Sequence, residues 1–254
     1  MKEPSLSVIC ASFNSGKTIE QTLNSILSQT DQNFEFIVID NNSEDGTKEI
    51  LKAYQTNFEN SLIDYKWLSE ADNGVYEAWN KGLRMAKGNW ISFIGSDDCY
   101  NPEAIFSYSK KIRFLGEKKP DIIYSNVEVV DNENVRKIIE GEWKWSVFKR
   151  YMNIAHVGSF HNRTYFKQYG LFDESYKICG DYELLLRKKN RLNTLHIPIV
   201  LAQMGSQGLS NNRVFEVFKE SWKAKKTTAG INDLLCFYDF CISLAKFQFR
   251  AITQ

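Results

Sequence analysis

The chain has little charge imbalance, few cysteines and no long apolar run, and each shortage excludes something. Lys and Arg number 32 against 31 Asp and Glu, a net charge of +1. Composition therefore gives no argument for nucleic acid or for an acidic partner. The five cysteines are Cys10, Cys99, Cys179, Cys236 and Cys241, an odd number with no CxxC or other metal spacing. That pattern favours reduced thiols in a cytoplasmic protein over a disulfide framework. Cys236 and Cys241 are close in sequence, and on a helix they are expected to face the core rather than bridge. No apolar stretch is long enough to span a bilayer. Met1-Lys2-Glu3-Pro4 runs straight into a strand pattern, so no signal peptide is expected. No repeat, low-complexity tract or linker marks a second domain. What remains is 254 residues with 43% hydrophobic and 25% charged, enough for one large α/β domain with a sizeable core.

Strand and helix patterns alternate through the first half. Leu6 to Phe13, Phe34 to Ile39 and Leu62 to Leu68 read as strands. Lys17 to Gln29 carries a helical stripe of Ile19, Leu23, Ile26 and Leu27. Thr47 to Tyr54 and Tyr76 to Ala86 read as further helices. Asn101-Pro102-Glu103 starts another in favoured order: N-cap, Pro at N1, acid in the first turn. This β-α-β-α-β-α-β order implies an open, mostly parallel, doubly wound sheet with helices on both faces. Ligands bind such sheets beyond the carboxyl ends of the strands. Asn14, Asp40 and Asp97-Asp98 all fall there. After Asp121 to Tyr124 the alternation loosens. Val127 to Ile139 reads as a hairpin around Asp131 to Asn134, Trp143 to Met152 as a short helix, Gly180 to Lys189 as a helix and Thr194 to Met204 as a strand. From Arg213 the pattern is helical, rich in Lys and aromatics.

The most informative segment is Trp90-Ile-Ser-Phe-Ile-Gly95-Ser-Asp97-Asp98, a buried-strand pattern ending on two adjacent acids. Side-by-side anions repel. They make sense on a hard divalent cation such as Mg²⁺ or Mn²⁺, completed by a substrate's phosphates. A solvated turn of Gly, Ser and Asp is the other reading. Ala11-Ser-Phe-Asn-Ser-Gly16-Lys17-Thr18 matches a relaxed P-loop, but its bend lacks the first glycine that lets backbone N–H groups curl round a phosphate. Asp40, with Ser43, Asp45 and Thr47, could accept from a uracil ring or ribose; the same residues suit a capped tight turn. Asn73-Gly74 could bring backbone near a ligand, with Tyr76, Asn80 and Lys81 on the following helix, or Lys81 could lie on a solvated face. Asp181 sits at a helix start, where an anion is favoured with or without a catalytic part. His156 lies in a tract of Asn, Gly and Ser and looks more exposed than His196.

Together these residues resemble the family 2 glycosyltransferases, inverting nucleotide-sugar transferases of the GT-A fold. The likeness runs over roughly residues 5 to 210. Ser7-Val-Ile-Cys-Ala-Ser-Phe-Asn14 looks like the family's opening strand and Ile39-Asp40-Asn-Asn-Ser43-Glu-Asp45-Gly-Thr47 like its nucleoside-binding turn. Asp72-Asn-Gly-Val-Tyr76-Glu-Ala-Trp-Asn80-Lys81-Gly82 looks like its donor-contacting segment. Gly95-Ser-Asp97-Asp98 resembles its DxD element, and Gly180-Asp181-Tyr182 its catalytic-base region. Phe160-His-Asn-Arg163 and Gly170-Leu-Phe-Asp-Glu174 point to the branch that builds bacterial capsule, O-antigen or colanic acid. Two positions depart from the pattern: Ser96 replaces the first acid of DxD, and Gly180 replaces the Glu that often precedes the base. The QxxRW motif of processive synthases is missing, which argues for one sugar added per acceptor.

The resemblance implies a transferase domain over residues 1–210 and a helical extension over 211–254. It implies Asp98 as ligand to Mg²⁺ or Mn²⁺ and Asp181 as base. Ser12, Asn14, Asp40, Ser43, Asn73, Gly74, Tyr76, Asn80, Lys81 and Asp97 would bind the donor, with uracil the first expectation. His156, Tyr182 and Glu183 would line the acceptor side. Partners would be a nucleotide-sugar and a glycan or lipid-linked acceptor. The tail from Ile231 to Ile252 mixes Leu234, Phe237, Phe240 and Phe247 with Asp233, Asp239 and Lys246. It would be an interfacial helix on the inner membrane or a helix packed on the body or a partner. A fold of this type that binds sugars without turning over, and a P-loop phosphotransferase, are the competing functions.

Overall fold

The computed structural model describes residues 5–131, 134–206, 208 and 213–253, with side chains as far as Leu244. Four strands form its parallel half: β1 (Leu6–Ser12), β2 (Glu35–Asp40), β3 (Asp64–Ser69) and β4 (Trp90–Gly95), hydrogen-bonded in the order β3-β2-β1-β4. β1, β2 and β4 are buried along almost their whole length, which explains their near-continuous apolar sequence. The two-residue period then sorts side chains between two cores. Val8 and Cys10 join one with α1 (Ile19–Leu27) and α5 (Ala104–Arg113). Ile9 and Phe93 join the other with α4 (Val75–Met85) and α8 (Gly180–Leu186). Helices therefore cover both faces, as the alternation requires.

The second half adds β5 (Cys99–Tyr100), β6 (Ile122–Asp131), β7 (Asn134–Ile139), β8 (Ser159–Asn162) and β9 (Thr194–Gly205). β8 lies antiparallel between β4 and β6, β9 runs parallel to β6, and β7 folds back on β6. The expected hairpin is present, with its tip outside the described residues. Its first strand begins earlier than the turn signals suggest, at Ile122, because β8 and β9 flank it. The expected cap at Asn101 is not made. Its side chain donates instead to the Val200 carbonyl (3.0 Å), its own carbonyl accepts from Ala104 N–H (2.9 Å), and α5 begins at Ala104.

Short helices α2 (Thr47–Ala53), α3 (Gln55–Glu59), α6 (Trp145–Phe148) and α7 (Arg163–Tyr169) fill the connections. Helix α9 (Val214–Ala224) packs on α8, runs into a π-helical turn over Lys225–Ala229, and is followed by α10 (Asp233–Thr253). Cys236 is buried on α10 but Cys241 is exposed, so only one of the two thiols expected in the core lies there; all five are free. Among the described residues, no helix is long and apolar enough to cross a membrane.

Candidate active site

The two acids at the end of β4 are held by glycines. Asp98 is 5% exposed and accepts from Gly95 N–H (2.8 Å) and Gly205 N–H (3.0 Å). A Cβ on Gly205 would come within 2.7 Å of Asp97 Oδ2, so the chain can lie against the acid pair only without a side chain there. Burial pushes the Asp97 carboxyl up, and burial together with the Asp97 charge raises Asp98 well above the usual carboxylate range. No Lys or Arg pairs with either acid among the described residues. Two adjacent carboxyls, one buried and one half-buried, without a Lys or Arg partner among the described residues form a donor set that suits a hard metal ion. Among the described residues no group of three acidic, His or Cys side chains could hold a metal alone. The remaining ligands would then come from a substrate. Ser96, where the DxD pattern has an acid, is bonded to Ser15 Oγ at 2.6 Å and joins the acid pair to the loop after β1.

That loop is not a phosphate cradle. Asn14 N–H donates to Ser43 Oγ (2.7 Å), Ser15 N–H to Thr47 Oγ1 (2.9 Å) and Gly16 N–H to Asp45 Oδ2 (2.8 Å). The N–H groups that a P-loop would offer a phosphate are spent on the turn after β2, and an acid stands among them. The P-loop reading fails on this geometry. Asp40 is fully buried and saturated: Ser43 Oγ (2.5 Å), Ser43 N–H (3.0 Å) and Ser69 Oγ (2.6 Å) all donate to it. It braces the turn carrying Asn41 and Ser43. Ser12 is buried, and its hydroxyl has no protein partner.

The segment from Asp72 to Gly82 is likewise tied down. Asn73 bonds Glu77 through its backbone N–H (2.9 Å) and its side-chain amide (2.8 Å), and Lys177 Nζ donates to the Asn73 carbonyl (2.7 Å) beside Gly74. Lys81 donates to the Ala71 carbonyl (2.7 Å) and pairs with Glu70 and Glu77. Asn80, 1% exposed, makes three bonds to Phe172 and Glu174. Lys81 and Asn80 thus fix neighbouring loops, and their polar atoms are engaged within the protein. Asp72 offers what they do not: its Oδ2 is buried without a partner, and burial raises its pKa.

Asp181 stands in the first turn of α8. It accepts from Tyr182 N–H (2.8 Å), and the single Tyr76 hydroxyl proton is shared between the Ile178 carbonyl (2.6 Å) and, more weakly, the Asp181 carboxylate (3.3 Å). Burial pushes Asp181 up to about 6, against the lowering effect of those two hydrogen bonds. A Cβ on Gly180 would lie 2.8 Å from the Tyr76 ring. The glycine that departs from the family pattern is therefore what lets Tyr76 reach the acid.

Asp98 and Asp181 line one cavity of about 460 Å³, with Trp79, His156, Arg150 and Tyr182. His156 is buried, not exposed as its tract suggested; it stacks on Phe93 (5.2 Å) and lies 4.9 Å from Trp79. Burial, then His161, holds its pKa well below the usual histidine value. Both its ring nitrogens and Trp79 Nε1 lack partners within the protein. Tyr182 is buried with its hydroxyl on the Phe148 carbonyl (2.7 Å). Glu183 points elsewhere. It is 5% exposed, paired with Arg187 (2.5 Å) and bonded by Thr228 (2.9 Å), which its sequence position close to Asp181 did not reveal.

Sequence patterns missed the far wall. Arg150 and the buried Lys225 both contact the buried Asp239, at 2.8 and 3.2 Å. They meet from the turn after α6, the π-helical turn and α10, and carry no motif. Glu220 was also missed: its carboxylate accepts from the N–H groups of Lys177 (2.8 Å), Ile178 (2.9 Å) and Cys179 (2.8 Å), just before Asp181.

A parallel half-sheet, an acid pair at its carboxyl edge and a third acid lining the same cavity are the features of a GT-A nucleotide-sugar transferase. The family model for "Glycosyl transferase family 2" matches residues 7–177, and the chain belongs to that family. It is a glycosyltransferase. It is 30% identical over 223 residues to a PGL/p-HBAD biosynthesis glycosyltransferase of Mycobacterium bovis, covering 86% of this chain and 84% of the relative. It is 34% identical over 116 residues to the putative teichuronic acid biosynthesis glycosyltransferase TuaG of Bacillus subtilis, covering 46% and 44%. Among solved structures, S. aureus TarS 1-349 in complex with UDP-GlcNAc superposes with a TM-score of 0.67 at 20% identity, over 93% of this chain and 70% of that one. The chain spans 41% of the longer TarS chain. Mannosyltransferase PcManGT from Pyrobaculum calidifontis, in complex with GDP-Man and Mn2+, gives 0.61 at 14% identity, over 97% and 75%. At these identities the structural likeness speaks for the fold.

Proposed function

We propose that the chain moves one sugar from a UDP-sugar to a hydroxyl of a glycan or lipid-linked acceptor, with inversion, in bacterial surface-polysaccharide synthesis. The observation that carries this is that Asp98 and Asp181 line one cavity, each with a raised pKa and, among the described residues, neither paired with a Lys or Arg. The relatives named for glycolipid and teichuronic acid biosynthesis support the acceptor class. The UDP-GlcNAc complex of a neighbour with the same fold supports the donor.

In this reading Asp98 would hold Mg²⁺ or Mn²⁺ on the donor diphosphate, with Asp97 beside it as a ribose or metal-shell contact. The metal, when bound, stabilises negative charge on the leaving diphosphate. Asp181 takes the proton from the acceptor hydroxyl as its oxygen bonds to the anomeric carbon and the bond to the diphosphate breaks. A base with a pKa near 6 is mostly ionised at neutral pH and still a useful proton acceptor. Ser12 and Asp72 present unpartnered oxygens to the nucleoside, on a frame braced by Asp40 and Ser43. Arg150 and the apolar wall of α9 and α10 receive the acceptor. Leu234, Phe237 and Tyr238, exposed on α10, would rest on the cytoplasmic face of the membrane.

A thermal-shift panel of UDP-, GDP- and dTDP-sugars with and without Mn²⁺ tests the donor, because a ligand that binds the native state raises Tm. UDP-sugars should stabilise most, and only with metal. A larger shift with GDP-sugars, or none with any donor, overturns the reading. Release of nucleotide from the stabilising donor separates an enzyme from a silent binder. Co-sedimentation with anionic liposomes, compared between the full chain and one lacking α10, tests the membrane contact.

A further inference from the structure

Glu220 lies on α9, outside the family-matched region, and reaches back about forty residues to the turn before α8. Both its oxygens are used, one on Lys177 N–H and the other on Ile178 and Cys179 N–H, all within 2.9 Å. Three adjacent amide donors meeting one carboxylate form a strong, charge-assisted clasp. The clasped turn also supplies the Ile178 carbonyl, which receives the Tyr76 hydroxyl (2.6 Å), and two residues later the chain reaches Asp181. The same turn is covered by Cys179 Sγ, which donates to the Val217 carbonyl of α9 (3.6 Å). Among the described residues, no strand hydrogen-bonds to this turn.

We infer that Glu220 is a positioning residue for the base: its carboxylate fixes the 177–179 turn, and so the direction in which Asp181 faces the cavity. The inference rests on Asp181 being the base. Glu220 acts on that acid in two separable ways. Its bonds set geometry, and its negative charge adds to burial in raising the Asp181 pKa. A helix that only packed on the body would do neither.

The test is Glu220→Gln in the full chain, with Glu220→Asp as its partner. Gln keeps the shape and loses the charge and one strong acceptor. The midpoint of the Asp181 carboxyl, followed by ¹³C NMR, should fall in Glu220→Gln, and the amides of residues 177–179 should exchange faster. Turnover, read as UDP release from the stabilising UDP-sugar with Mn²⁺, should drop by about tenfold with the donor KM within about twofold, as expected for a misaimed base. Its acid limb should move to lower pH. Glu220→Asp keeps the charge but falls one methylene short, so its midpoint should stay near wild type while turnover drops. An unchanged Asp181 midpoint together with unchanged amide exchange in Glu220→Gln overturns the inference. If Glu220→Gln does not fold, Glu220→Asp with undiminished turnover overturns it. Full activity of Asp181→Asn would sink the base assignment instead, leaving the effect of Glu220 on the Asp181 titration intact.

Discussion

The Tyr76 hydroxyl lies 3.3 Å from the Asp181 carboxylate and 2.6 Å from the Ile178 carbonyl, so one phenol of α4 touches both the acid and the turn that precedes it. The two residues are 105 positions apart in sequence. Tyr76 was expected to touch the donor; its hydroxyl is committed to α8. Its ring occupies the space that a side chain at residue 180 would need.

The Tyr76 bond favours the ionised form of Asp181, opposite in sign to burial. Tyr76→Phe should therefore raise the Asp181 pKa and move the acid limb of the rate profile to higher pH. A bond worth about 1 kcal/mol corresponds to roughly fivefold less ionised base below that limb. A pH–rate profile of the variant checks it, and a shift to lower pH would contradict the geometry.

Asp181→Asn should abolish transfer while the donor and Mn²⁺ still raise Tm. It should also alter stability with pH. The folded pKa, about 6, stands above that of an unfolded Asp, near 3.9. The protonated acid favours the fold below the unfolded value, and that contribution is lost as pH rises through about 6. Asn stays neutral throughout. The variant should then melt higher than wild type at pH 8 and at a similar temperature at pH 4, by calorimetry.

Asp98→Asn should remove the metal-dependent part of donor binding. Titration calorimetry with the stabilising UDP-sugar, in Mn²⁺ and in EDTA, should show the two affinities converge in the variant. Equal metal dependence in variant and wild type would rule out Asp98 as the ligand.

Asn80→Ala tests a residue whose expected role the geometry alters. Three bonds to Phe172 and Glu174 would be lost, two of them leaving buried backbone groups unpaired. A loss of about 2–4 kcal/mol in stability is expected. Denaturant unfolding measures that loss, and donor affinity of the folded variant should be nearly unchanged. A large fall in affinity without destabilisation would return Asn80 to the donor.

The sequence alone determined the alternating architecture, because the strands and helices carry opposite periodicities. It also located the acid pair and Asp181, since acids at the end of a buried strand and at a helix start are local signals. Only the tertiary structure decided which polar groups remain for a ligand. Asp40, Asn80, Lys81 and Glu183 look available in sequence and are consumed by Ser69, Phe172, Ala71 and Arg187. His156 looked exposed in its polar tract and is buried because Trp79 and Phe93 close over it. Glu220 and Arg150 carried no motif, because their partners come from distant segments. Hydrogen bonding between such segments is set by packing, and a sequence pattern records only what neighbours along the chain impose. The acid pair at the end of β4 was therefore legible from the start, whereas the clasp of Glu220 on the turn before Asp181 became visible only in the fold.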